Sequence, residues 1–221
     1  MASKDSSPDL APAEVLRDYG PFPGVDHVRG VTFDGESVWF AAGDRVQAFD
    51  PESGELGRSL PVTAEAGTAF DGRHLFQLGG GRIQKIDPAT GKVVGTIPAP
   101  PDSAGLTWGE GSLWVAQHRA GKIHRLDPKT GQILRTIEST RFVTGVTWVD
   151  GELWHGTWED DGGELRQLRR VDPESGEVLA ALTLPAGAIV TGLESDGRDR
   201  LFCGGGKSGT VRAVRRPKQP R

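Results

Sequence analysis

The stretch Gly145-Val146-Thr147-Trp148-Val149-Asp150-Gly151-Glu152-Leu153-Trp154-His155, with Asp172-Pro173-Glu174-Ser175-Gly176 after it, decides the fold of this chain. It reads as a short strand, a tight turn, a second strand and, after a third strand, another turn. The chain writes this unit five times. Its opening glycine returns as Gly30, Gly67, Gly105, Gly145 and Gly192, at intervals of 37, 38, 40 and 47 residues. Self-similarity at that period marks a propeller or a solenoid, because one such unit cannot bury its apolar face alone.

Aligning the copies defines four strands per unit. Strand a follows the glycine: Val31-Thr32-Phe33, Thr68-Ala69-Phe70, Leu106-Thr107-Trp108, Val146-Thr147-Trp148 and a weaker Leu193-Glu194-Ser195. A turn follows, Asp-Gly in four copies and Glu110-Gly111 in the third. Both turn residues tolerate a left-handed backbone, so the pair is a hairpin signal. Strand b carries a central aromatic, Trp39, Phe76, Trp114, Trp154 or Phe202, large enough to fill the space between adjacent sheets. Strand c alternates polar and apolar, as in Ile83-Gln84-Lys85-Ile86. An Asp-Pro-x-Ser/Thr-Gly turn then leads into strand d in every copy but the last. That fifth copy ends at Val211-Arg212-Ala213-Val214 without a strand d, while the chain begins with a spare strand, Glu14 to Tyr19. Pairing the two closes the ring and removes an open edge. The expected fold is all-β: a five-bladed β-propeller of four-stranded blades, closed by an N-terminal strand that completes the last blade. Residues 14–214 form this domain, 1–13 a flexible tail and 215–221 a basic, solvated tail.

Composition excludes several function classes. The chain of 221 residues has a net charge of −4, which argues against nucleic acid as the main partner. A single cysteine, Cys203, makes no internal disulfide. No run of about 20 apolar residues exists to span a membrane. The polar start, Met1 to Pro12, lacks the apolar core of a signal peptide, so a cytoplasmic location is expected.

Topology then says where a ligand belongs. Strand a lines the axis and strand b returns antiparallel to it, so the entry of a and the exit of b share one face. The entries supply His27, Arg29, Glu65, Ser103, Thr144 and Thr191. The exits supply Phe40, Gln77, Gln117, His118, His155, Thr157, Trp158, Cys203 and Lys207. Structural residues repeat from blade to blade, and these do not. They point to a polar axial pocket for a small molecule or a peptide terminus, with Arg29 and Lys207 suited to an anion and Trp158 to stacking. If the pocket is catalytic, Glu65, His118 and His155 are its acid–base groups. Against each stands a plainer reading: independent rim histidines, and Cys203 as a small buried hydrophobe rather than the partner of His155. No HxH, HExxH or CxxC spacing occurs, so neither a metal nor another cofactor is expected. Gly204-Gly205-Gly206-Lys207-Ser208-Gly209 lacks the phosphate-loop spacing and joins two strands. In the fourth copy the acidic connection 158–164 overhangs the same face and suits a rim or a lid.

Thr147-Trp148-Val149-Asp150-Gly151-Glu152-Leu153-Trp154, Arg170-Val171-Asp172-Pro173 and Leu201-Phe202-Cys203-Gly204-Gly205-Gly206-Lys207 resemble the plant-type glutamine cyclotransferases (glutaminyl cyclases). The resemblance runs from Val15 to Val214, and much of it is propeller grammar shared with other bacterial repeat families. It implies a five-bladed propeller that turns N-terminal glutamine into pyroglutamate without a metal. The family's pattern has an acidic residue where this chain has Phe40, Gln where Arg29 stands and Asn where Thr144 stands. Trp158 and Lys207 match. The resemblance therefore leaves three readings: a binding propeller, an enzyme using Glu65 or the pocket histidines, and a protein-interaction scaffold.

Overall fold

The computed structural model describes residues 9–158 and 166–218. Two strands precede the blades, β1 (Asp9–Pro12) and β2 (Val15–Tyr19). Blade 1 is β3 (Val31–Phe33), β4 (Val38–Ala41), β5 (Val46–Phe49) and β6 (Leu56–Leu60). Blade 2 is β7 (Thr68–Phe70), β8 (Leu75–Gly79), β9 (Arg82–Ile86) and β10 (Val93–Pro98). Blade 3 is β11 (Ser103–Gly109), β12 (Ser112–Gln117), β13 (Lys122–Leu126) and β14 (Ile133–Glu138). Blade 4 is β15 (Phe142–Val149), β16 (Glu152–Trp158), β17 (Gln167–Val171) and β18 (Val178–Thr183). Blade 5 is β19 (Leu193–Ser195), β20 (Arg200–Gly204) and β21 (Val211–Arg215), with β2 antiparallel to β21 as its outer strand. The molecule is thus a five-bladed propeller closed at blade 5 by its N-terminal strand. Among the described residues no helix is long and apolar enough to cross a membrane.

Among the described residues, parts of the two segments that flank the blades are structured. Residues 9–12 form β1, which adds a fifth, parallel strand to the edge of blade 4, with Leu10 opposite Ala181. At the other end Arg215 lies in β21, and Arg216 is buried. The Arg216 guanidinium donates to Asp150 at 2.7 Å and to Glu152 at 3.1 Å, both in or beside blade 4. A basic residue solvates at a terminus only when no carboxylate faces it, and here two do.

The core is divided into five clusters, one per blade junction. The central aromatic of each blade packs toward strand a of the next. Phe76 stacks on Trp108 with centroids 5.7 Å apart, and Trp114 on Trp148 at 5.2 Å. Phe202 meets Phe33 at 6.1 Å, and Trp39 shares a cluster with Phe70. Trp154 has no such partner, because Ser195 occupies that position in blade 5.

The marker glycines explain themselves in three dimensions. A Cβ on Gly30 would lie 2.7 Å from the carbonyl carbon of Gly67; on Gly67, 2.6 Å from that of Gly105; on Gly192, 2.8 Å from that of Gly30. Cβ atoms on Gly105 and Gly145 would strike Gly145 and Gly192 in turn. The five inner strands therefore abut through bare backbone and tighten the ring on its axis.

The turns separate into two kinds. Glu110-Gly111 and Asp150-Gly151 hold positive φ at both residues, as a two-residue hairpin requires. In blades 1, 2 and 5 only the glycine does, and the loop is four residues long. There the aspartate side chain turns the chain instead: Asp34 accepts the amides of Glu36 and Ser37, and Asp71 those of Arg73 and His74.

Candidate functional site

Call the face where strand a enters and strand b exits the upper face. Two of the nominated residues share a cavity there. Glu65 and Ser103 line a space of about 470 Å³ between blades 2 and 3, off the axis, together with Arg82 and Asp102. Glu65 is exposed, and its Oε2 accepts the Gly80 amide at 2.9 Å. The far wall is held by three bonds. Ser103 Oγ donates to the Pro100 carbonyl at 2.6 Å, Gln117 Nε2 to that of Pro101 at 3.0 Å, and the His118 amide to that of Asp102 at 3.1 Å. Asp102 itself sits at φ 54°, a left-handed conformation that aspartate accepts more readily than most residues. Gln117 is fixed in turn by His124, whose Nε2 lies 3.1 Å from its Oε1. His124 was not among the sequence candidates. Its position in strand c is polar in every copy, with Gln47, Gln84, Arg169 and Arg212 as its equivalents, so the internal repeat does not single it out.

The other candidates divide between the surface and the core. Arg29 and Lys207 are exposed at the mouths of blades 1 and 5, and His27 is half-buried beside them. Thr191 donates to the carbonyls of Val28 and Gly204, which ties blade 5 to blade 1. Thr144 Oγ1 is buried without a hydrogen-bond partner. His118 stacks on Trp158 with centroids 5.5 Å apart and planes 12° apart, and the Arg166 guanidinium lies 5.3 Å from the Trp158 centroid. The stacking expected of Trp158 toward a ligand is thus engaged within the chain. The acidic connection read as a rim or lid lies, after Trp158, outside the described residues.

Only Glu65 and Ser103 among the nominated residues line this cavity, and five others, Phe40, Gln77, His155, Thr157 and Cys203, are buried within the blades. Phe40 is buried and stacks on Phe22 at 4.8 Å. Gln77 is buried with its amide used internally: Thr68 Oγ1 donates to its Oε1 at 2.6 Å, and its Nε2 donates to the carbonyls of Ala66 and Leu78. His155 is buried, and burial pushes its imidazole down to about 4, so it is neutral and a poor base near pH 7. Its Nδ1 lies 3.1 Å from the Gly156 carbonyl. Cys203 packs in the cluster between blades 4 and 5, and burial pushes its thiol up to about 12. The reason is register. The third residue of strand b points away from the axis into a blade junction, so its variation tracks local packing. Among the described residues no hydrogen bond joins Cys203 to His155. A thiol this buried should resist a thiol-specific disulfide reagent at pH 8 in the folded protein and react at once in denaturant. Stoichiometric labelling of the native protein within minutes would contradict that placement.

The residue that the sequence reading passed over is Glu194. It is the second residue of β19, where the other blades carry Thr32, Ala69, Thr107 and Thr147. Those positions share the axial side with the marker glycines. Glu194 is 8% exposed. Thr32 Oγ1 donates to its Oε2 at 2.9 Å, while Thr147 Oγ1 and the Ser195 amide donate to its Oε1. Burial raises its carboxyl to about 7, against the hydrogen bonds from Thr147, Ser195 and Thr32. The signal was available: a carboxylate at a position that is otherwise Thr or Ala. Among the described residues no group of three or more His, Cys, Asp or Glu side chains is placed to hold a metal ion.

No family model matches the chain, and no curated protein matches its sequence. Solved structures match its fold. The glutaminyl cyclase of Myxococcus xanthus superposes with a TM-score of 0.77 at 16% identity, covering 95% of this chain and 98% of that one. A chain of the mitotic checkpoint complex gives 0.57 at 14% identity, over 99% of both chains. The hydrazine synthase of Kuenenia stuttgartiensis gives 0.53 at 16% identity, over 81% of this chain and 56% of that one. The chain is similar in fold to the glutaminyl cyclase propeller along almost its whole length.

Proposed function

We propose that this propeller binds a small polar ligand, the size of an amino acid or a peptide end, in the upper cavity between blades 2 and 3. The observation that carries the reading is the meeting of Glu65 and Ser103, each nominated by its departure from the internal repeat, in one cavity of about 470 Å³. That volume falls within the usual range for small-molecule sites. The lining supplies both signs of charge. Glu65 and Asp102 suit an ammonium group, and Arg82 suits a carboxylate. The bonded wall at Pro100 to Ser103 gives the site a fixed shape, which lowers the ordering cost of binding.

A second reading is favoured by the fold shared with the Myxococcus glutaminyl cyclase: a cyclotransferase in which Glu65 moves the proton of the α-amine. Against it stands Phe40, packed in the core at the position where that family carries its acid.

Titration calorimetry with free glutamine and a glutaminyl dipeptide, run beside an ammonia-release assay, tests both. The binding reading expects measurable affinity, a loss of at least about tenfold in Glu65→Gln and in Arg82→Ala, and no ammonia. Ammonia released by the wild type and not by Glu65→Gln establishes the cyclase instead. Failure of the wild type to bind either probe at millimolar concentration overturns the proposal.

A further inference from the structure

The five inner strands hold one ionisable side chain among them. β3, β7, β11 and β15 carry none, and β19 carries Glu194. Its carboxyl is bonded sideways in both directions round the ring, to Thr32 of blade 1 and Thr147 of blade 4. Blade 5 is also the seam of the molecule. It is the blade assembled from the two ends of the chain, β2 on β21, and its junction with blade 4 lacks the aromatic stack, Ser195 standing in that position. A titrating group, the ring's non-covalent closure and its least aromatic junction therefore coincide.

We propose that Glu194 is a proton-operated lock on this seam. Protonated, the carboxyl holds the inner strand of blade 5 between blades 1 and 4; ionised, it leaves a charge in the core and blade 5 loosens. In the protonated form the acid O–H is given to Thr32 Oγ1 while Oε1 still accepts from Thr147 and Ser195, so no bond to a neighbouring blade is lost. In the ionised form all three donors remain, yet among the described residues no cation answers the charge. Arg200 and Cys203 are the ionisable residues of β20, which pairs with β19. Neither contributes to the raised carboxyl, which arises from burial opposed by the three hydrogen bonds.

The sign follows. The carboxyl titrates near 4.5 in the unfolded chain and is raised to about 7 in the fold. Stability is full below the lower value and is lost as pH rises toward and through the upper one. His124 and His155 are lowered by burial, so their contribution is lost as pH falls, with the opposite slope.

The test is thermal unfolding from pH 5 to pH 9 for the wild type and Glu194→Gln, with hydrogen exchange of residues 15–19 and 193–195 corrected for the intrinsic rate. Relative to Glu194→Gln, in which the opposing histidine contributions are unchanged, the wild type should lose thermal stability between about pH 5 and 8, and its seam amides should lose protection on the order of 100-fold. Should Glu194→Gln fail to fold, Thr147→Val decides. It removes a bond that favours the ionised form, so the midpoint must move to higher pH. Identical pH profiles in wild type and Glu194→Gln, or an unmoved midpoint in Thr147→Val, overturn the proposal.

Discussion

Adding one methyl group at Gly145 should destabilise the propeller by about 3 kcal/mol or more, a fall of about 6 to 12 °C in Tm for a domain of this size. The Cβ of Gly145→Ala would be driven into the Leu193 amide nitrogen and the Gly192 carbonyl carbon of the next blade, all of it main chain. A flexible side chain can swing aside, but an inner strand cannot. It is paired to its own sheet on one side and abuts the next glycine on the other. Yielding there means spreading the ring, and the strain passes to every junction. Gly151→Ala is the matched control. Gly151 has φ +77° and open space around its Cβ position, so its substitution meets only backbone strain, about 1 to 2 kcal/mol. Chemical denaturation of the two variants separates packing from conformation. A Gly145→Ala protein within 1 kcal/mol of the wild type would mean that the inner strands do not abut as described.

The same glycines show what the sequence could and could not tell. Their spacing disclosed five blades, and the missing fifth strand d disclosed closure by Val15 to Tyr19, because both are one-dimensional facts of a repeat. Pocket-facing residues were harder. Entry positions such as Glu65 and Ser103 are placed by topology alone. The third position of strand b was not, because the side a strand residue faces depends on register, and a slip of one residue exchanges axis for blade junction. Phe40, Gln77, His155 and Cys203 vary as a set for that reason. Glu194 was legible as a break in the Thr/Ala series, but it sat in the copy whose strand looked weakest. Arg216 was illegible in one dimension, since its partners Asp150 and Glu152 lie more than 60 residues away in the chain.

Arg216→Ala should therefore cost about 3 kcal/mol, far from the near-zero effect of trimming a solvated terminus. The junction of blades 4 and 5 lacks the ring stack found between blades 2 and 3 and between blades 3 and 4, and an ion cluster stands in that region. Glu152 is buried; its Oε2 accepts from Trp154 Nε1 at 2.9 Å and from Arg216, and its Oε1 from Arg170 at 2.7 Å. Arg216 also donates to Asp150 and to the Arg198 carbonyl, and its amide donates to the Asp199 carbonyl, so one residue pins blade 5 to blade 4 at several points. Removing it leaves the buried Glu152 carboxylate with fewer donors, Arg170 and Trp154 remaining, and that partial loss of compensation, more than the lost attraction, sets the cost. Arg216→Lys should recover part of the loss, because an ammonium is a point charge and cannot span both carboxylates as a planar guanidinium does. In the double variant Arg216→Ala with Glu152→Gln the penalties should fall short of their sum, since the second change removes the charge whose donors the first depletes. Urea unfolding followed by tryptophan fluorescence measures all three, with Trp154 beside the break as reporter. An Arg216→Ala midpoint equal to the wild type's would return residues 215–218 to the status of a solvated tail.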